Sequence, residues 1–138
     1  MKTIKKREYK MDKPQVKTLK ELKKINYKSE SIKAELARNL KTLITSGKSS
    51  FNGIYGYKNT VIPDLERSIL SGHNIIFLGL RGQAKTRLAR QMIDLLEEWI
   101  PVIKESEIND DPLAPISKKG KDIIQSNGDK TQIDWIHR

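Results

Sequence analysis

The chain has 138 residues, 36% hydrophobic and 32% charged, which suits one modest globular domain with a large solvated surface. No apolar run approaches the roughly eighteen residues needed to span a membrane, and the lack of cysteine excludes disulfides and thiolate metal sites. The formal net charge of +10 is unevenly placed: residues 1–50 hold 15 Lys/Arg against 5 Asp/Glu, whereas residues 51–138 hold 12 of each. Such a basic arm suits nucleic acid, anionic lipid or an acidic partner; the plainer reading is a solvated tail and helix surface. Tyr9 and Tyr27 are far apart, so the aromatic interleaving that stacks bases is missing. No apolar segment follows the basic start, so no signal peptide is read and the cytoplasm is the expected compartment.

Residues 1–15, lysine-rich and containing Pro14, read as a disordered basic arm. Residues 16–50 read as a helical segment. Val16–Lys24 carries helix formers with Leu19 and Leu22 on one side, and Ser29 or Ser31 caps a helix whose Ile32, Leu36, Leu40 and Leu43 recur at helical spacing. Gly47 and the Ser49–Ser50 pair end it. After a turn-rich stretch with Gly53 and Gly56, Asn59 or Thr60 opens a helix to Leu70, with Pro63 in its first turn. His73–Leu78 is nearly continuously apolar, the pattern of a strand buried on both faces of a parallel sheet. A glycine-bearing loop follows, and Lys85–Trp99 reads as an amphipathic helix ended by Pro101, with a strand beginning at Val102–Ile103. In the less regular tail, Ser117–Gln125 reads as a helix, Asn127–Gly128 as a turn, and Trp135 and Ile136 as apolar residues with nothing after them to pack on.

The chemistry concentrates in Gly79-Leu80-Arg81-Gly82-Gln83-Ala84-Lys85-Thr86. The phosphate-loop pattern is G-x-x-x-x-G-K-[ST]; the match holds at the first glycine, the lysine and the threonine, with Ala84 in place of the second glycine and an extra glycine at 82. A polyphosphate places several charges on close oxygens. A loop that wraps it must aim backbone N–H groups inward, and side chains would obstruct the approach. The following helix adds the positive end of its dipole. Lys85 reaches the β- and γ-phosphates, and the Thr86 hydroxyl is the expected magnesium ligand. Strand, loop and helix in that order make a chance glycine-rich turn the weaker reading.

At this loop the sequence resembles the magnesium-chelatase and MoxR-like branch of the AAA+ ATPases. Loops of the form G-x-x-G-x-A-K-[ST] are usual among MoxR-like members, which makes Ala84 a family trait, and the chelatase subunit carries an Arg-Gly pair where Arg81-Gly82 stands. Gly53-Ile54-Tyr55-Gly56-Tyr57 looks like the segment that lies beside the adenine in that family, with Tyr57 where glutamine is common. The resemblance covers roughly residues 51–103. It implies an α/β fold, the start of a three-layer αβα P-loop domain spanning 51–138, with 104–138 as an insertion before the catalytic strand. It implies ATP and Mg2+ as cofactors, held by Gly79, Arg81, Gly82, Gln83, Ala84, Lys85 and Thr86 together with Tyr55 and Gly56. It further implies a homo-oligomeric ring that remodels a partner protein, a porphyrin-metallating complex in the chelatase case.

No apolar strand ending in Asp-Asp or Asp-Glu is present, and sensor residues, arginine finger and helical lid are also missing. No catalytic residue is therefore named; the chain is expected to bind ATP without turnover and to be an N-terminal fragment of a longer ATPase. Glu97 and Glu98 are expected on a solvated helix face. Asp110, Asp111, Glu105 and Glu107 read as a solvated acidic loop rather than a cation site. His73 and His137 are isolated. Arg81 suits phosphate, a neighbouring subunit or plain solvent; Arg87 suits solvent or packing along its helix. A second reading belongs to another class: a basic, helix-rich module with a degenerate nucleotide loop, acting through residues 2–48 on nucleic acid or an acidic protein.

Overall fold

A computed structural model describes residues 12–138, and most of the expected basic arm lies outside the described residues. The described chain folds as two units, one made of residues 12–29 with 98–138, the other of residues 30–97. No helix among the described residues is long and apolar enough to cross a membrane.

The unit of residues 30–97 holds three helices. In α2 (Ile32–Thr45) the Ser31 hydroxyl accepts from the Ala34 N–H at 3.3 Å, satisfying one of the donors left over at a helix start. Gly47, at φ 70°, supplies the left-handed residue that stops α2, and the Lys48 N–H closes the end on the Leu43 carbonyl at 3.2 Å. The next helix, α3 (Val61–Leu70), starts after Thr60 and accommodates Pro63 in its first turn, as the sequence suggests. Helix α4 is Lys85–Ile93. The helices cover one apolar cluster of Leu40, Phe51, Ile54, Leu65, Ile69, Leu88 and Leu95, joined by half-buried Ile75, Phe77 and Met92.

Two expectations are corrected here. Residues 73–80 form no regular element and make no ladder with any described residue. Only one face of the run is covered: Ile75 and Phe77 pack on the cluster, while Ile76 and Leu78 are 80% and 86% exposed. The apolar run is thus half-covered, not buried on both faces. Helix α4 stops at Ile93, six residues short of the expected end, because α2 grips the chain beyond it. The Asn39 amide donates to the Leu95 carbonyl at 2.6 Å, and Glu35, itself buried, accepts from the Glu97 N–H at 2.7 Å. Arg38 adds ion pairs to Glu30 and Glu97, and these raise its pKa, Glu30 most.

The other unit begins with α1 (Leu19–Lys24), capped by Thr18. Its strands β1 (Trp99–Ile103) and β2 (Ile133–His137) pair antiparallel with Pro101 opposite Trp135. Trp99 and Pro101 therefore stand inside a strand, where a helix end was expected. The chain at Lys17–Leu19 adds an isolated antiparallel bridge, Thr18 opposite Gln132, with the Ile133 N–H donating to the Lys17 carbonyl and the Leu19 N–H to the Thr131 carbonyl, both at 2.9 Å. Between the strands lie α5 (Lys118–Asn127), capped by Ser117, and a single 3-10 turn at Gly128–Lys130. Trp135 is not left without packing: it is buried with Leu19, Leu22 and Ile133, and its indole N–H donates to the Val16 carbonyl at 2.8 Å. Tyr27 meets its ring edge-on at 6.3 Å.

Candidate phosphate-binding loop

The loop follows the apolar run 73–78 and enters the first turn of α4. Three of its residues have left-handed or glycine-type backbone: Gly79 at φ 148°, Gly82 at 82° and Ala84 at 56°. Ala84 is the N-cap of α4, with ψ 15°, and no side chain caps the helix start. The first-turn N–H groups therefore have no capping side chain from residue 84. Gly82 and Ala84 both adopt positive φ, so alanine carries left-handed strain itself.

Lys85 folds back over its own loop. Its ammonium donates to the Gly79 carbonyl at 2.7 Å and also to the Leu80 carbonyl. The Gln83 side-chain oxygen accepts the Leu80 N–H at 3.1 Å. A Cβ on Gly79 would lie 2.1 Å from that oxygen and 3.8 Å from the Lys85 Nζ, so the glycine is what lets both side chains close over the backbone. Gly79, Leu80, Gln83 and Lys85 thus form one cluster. Thr86 is exposed on the first turn of α4, and Arg81 is exposed on the loop.

The segment ahead of the loop is anchored by Phe51 and Ile54, both in the core, which turns Tyr55 outward at 88% exposure. Gly56 is exposed at φ 82°. Tyr57, not Tyr55, reaches the loop: its hydroxyl donates to the Gln83 carbonyl at 3.5 Å. Two further supports are unmarked in the motif. The Gln91 amide donates to the Asn52 carbonyl at 2.7 Å, and the Arg87 guanidinium lies against Gly53, where a Cβ would sit 2.6 Å from it. Both hold the 51–57 segment to the outer side of α4. Residues three and four apart on a helix share a face, so Arg87 and Gln91 were findable as a pair; their target was not.

Outside this unit, Glu105 and Glu107 are exposed as expected of a solvated acidic loop, but Asp110 is instead a structural centre. Asp110 is buried and accepts four hydrogen bonds: from the Ile116 and Ser117 N–H groups at 2.8 and 2.9 Å, from the Ser106 hydroxyl at 2.7 Å, and from the Ser117 hydroxyl. The Ser117 hydroxyl and N–H, then the Ser106 hydroxyl, hold its carboxyl well below the usual range. Gly120 is obligatory beside it, since a Cβ there would lie 2.5 Å from Asp110 Oδ2. With its lone pairs spent, Asp110 has none to offer a cation, and no group of three or more His, Asp or Glu side chains among the described residues is placed to hold a metal. Asp134 pairs with Lys13 at 2.6 Å, which lowers its pKa.

Comparison of the chain with protein-family profiles, characterised proteins and solved structures returns no match.

Proposed function

We propose that residues 79–86 bind the phosphates of ATP with magnesium, and that the chain is the nucleotide-binding portion of an ATPase of the magnesium-chelatase and MoxR-like kind. The observation that carries this reading is the cluster of Lys85, Gln83 and the Leu80 N–H over bare Gly79, directly before an uncapped helix start. Such a site presents a cation, backbone donors and a dipole to one small volume. Lys85 would exchange the loop carbonyls for phosphate oxygens, and Thr86, exposed one residue on, would offer its hydroxyl to magnesium. Assembly into a ring and remodelling of a partner protein belong to the same proposal.

No carboxylate is proposed as a catalytic base. Glu97 is engaged by Arg38, and Asp110 and Asp134, in the other unit, are committed to their own hydrogen bonds and ion pair. The competing reading, a basic module that binds nucleic acid or an acidic protein, draws on exposed lysines such as Lys20, Lys24, Lys33 and Lys41. The test is titration with a fluorescent ATP analogue in the presence and absence of magnesium. Saturable, magnesium-dependent binding supports the nucleotide site; salt-sensitive binding of nucleic acid by a chain that ignores ATP supports the basic module.

A further inference from the structure

Gln83 holds an unusual position for a loop side chain. Its amide oxygen takes the Leu80 N–H and sits in the space that glycine leaves open at 79, with the Lys85 ammonium close by. A backbone donor, a bare glycine and a lysine together make the surroundings that suit an oxyanion, and here a neutral oxygen of the chain itself fills them. We propose that the Gln83 side chain is a built-in competitor for the oxyanion of this loop's ligand. The inference rests on the phosphate-binding reading above.

Two exchanges follow from the geometry. An incoming phosphate oxygen displaces the Gln83 oxygen from the Leu80 N–H, and the Lys85 ammonium leaves the Gly79 and Leu80 carbonyls for the anion. A charge-assisted bond outcompetes a neutral amide acceptor, so the displacement is favourable but not free. A ligand that engages one group only gains little from it. A polyphosphate that recruits Lys85 and the loop donors together gains most, so Gln83 sharpens the preference for polyphosphate over a single phosphate. Removing the side chain removes the competing bond and should tighten binding by about two- to tenfold. Replacing it with glutamate places a full negative charge on the same donor and beside the same lysine, and should weaken binding by more than about tenfold.

The experiment titrates the full chain, Gln83→Ala, Gln83→Glu and Lys85→Ala with a fluorescent ATP analogue and magnesium, then competes with inorganic pyrophosphate and with inorganic phosphate. Tighter binding by Gln83→Ala and weaker binding by Gln83→Glu support the proposal. Lys85-dependent binding that Gln83→Ala leaves unchanged or weakens overturns it while the nucleotide site stands. Absence of Lys85-dependent binding in both the parent chain and Gln83→Ala overturns the nucleotide reading and the proposal together. Should Gln83→Ala melt early, Gln83→Glu decides alone, because it keeps the side-chain length and the bond to Leu80; equal affinity in that variant overturns the proposal.

Discussion

Replacing Ala84 with glycine tests the loop's backbone directly. The alanine stands at φ 56° and ψ 15°, a left-handed conformation that costs a residue with a Cβ about 1–2 kcal/mol. Glycine removes that cost and also serves better than alanine at an N-cap. Against this, glycine frees the unfolded chain by about 0.4–1 kcal/mol. The balance favours Ala84→Gly by about 0.5–1 kcal/mol, a rise in melting temperature of about 2–5 °C for a chain this size. Differential scanning calorimetry reads the shift, and a parallel titration should find the affinity for an ATP analogue changed by less than about tenfold. A loss of about 1 kcal/mol or more would refute the reasoning, since it would mean that residue 84 is right-handed and that glycine only loosens the helix start.

Other outcomes follow from the same geometry. Asp110→Ala removes the acceptor of two backbone N–H groups and two hydroxyls and should cost about 3 kcal/mol at pH 7 in denaturant titration. Because the folded carboxyl is held below its ordinary value, its contribution is complete above about pH 4 and fades as the pH falls through the folded pKa, so the gap between variant and parent should narrow in acid. Phe77→Ala should cost about 2–3 kcal/mol, whereas Ile76→Thr, on the exposed side of the same run, should change stability by less than about 0.5 kcal/mol; equal losses would place both faces of 73–80 in a core. The chain alone should show no ATP turnover above background in a phosphate-release assay, and robust turnover would mean that one of the carboxylates assigned a structural role orients water instead.

Local chemistry was legible in the sequence where local forces decide it. Ser31, Gly47, Pro63 and Ser117 mark helix ends through hydrogen bonds and φ values that belong to a few neighbouring residues, and the helices begin or end beside them. The glycine-and-lysine loop was equally visible, with α4 opening at Lys85. Long-range partners were not. The end of α4 is set by Asn39 and Glu35, more than fifty positions earlier, and no periodicity within Lys85–Trp99 reveals them. Trp135 read as an orphan because its core partners, Val16, Leu19 and Leu22, lie at the other end of the chain. Asp110 read as solvated because acidic residues in a Pro-rich stretch usually are; its burial depends on Ser106, Ser117 and a glycine at 120 converging on one carboxylate. At the loop itself, the family motif points to Tyr55, which stands exposed, while the half-buried Tyr57 packs against the core cluster and makes the contact.

The most direct measurement is isothermal titration of the chain and of Lys85→Ala with an ATP analogue, each with and without magnesium. A phosphate-binding loop predicts saturable, magnesium-dependent binding by the parent chain and its loss in Lys85→Ala, with the variant's melting temperature held close to the parent's. Binding that persists undiminished in Lys85→Ala, or no binding by a folded parent chain, would contradict a nucleotide site at residues 79–86.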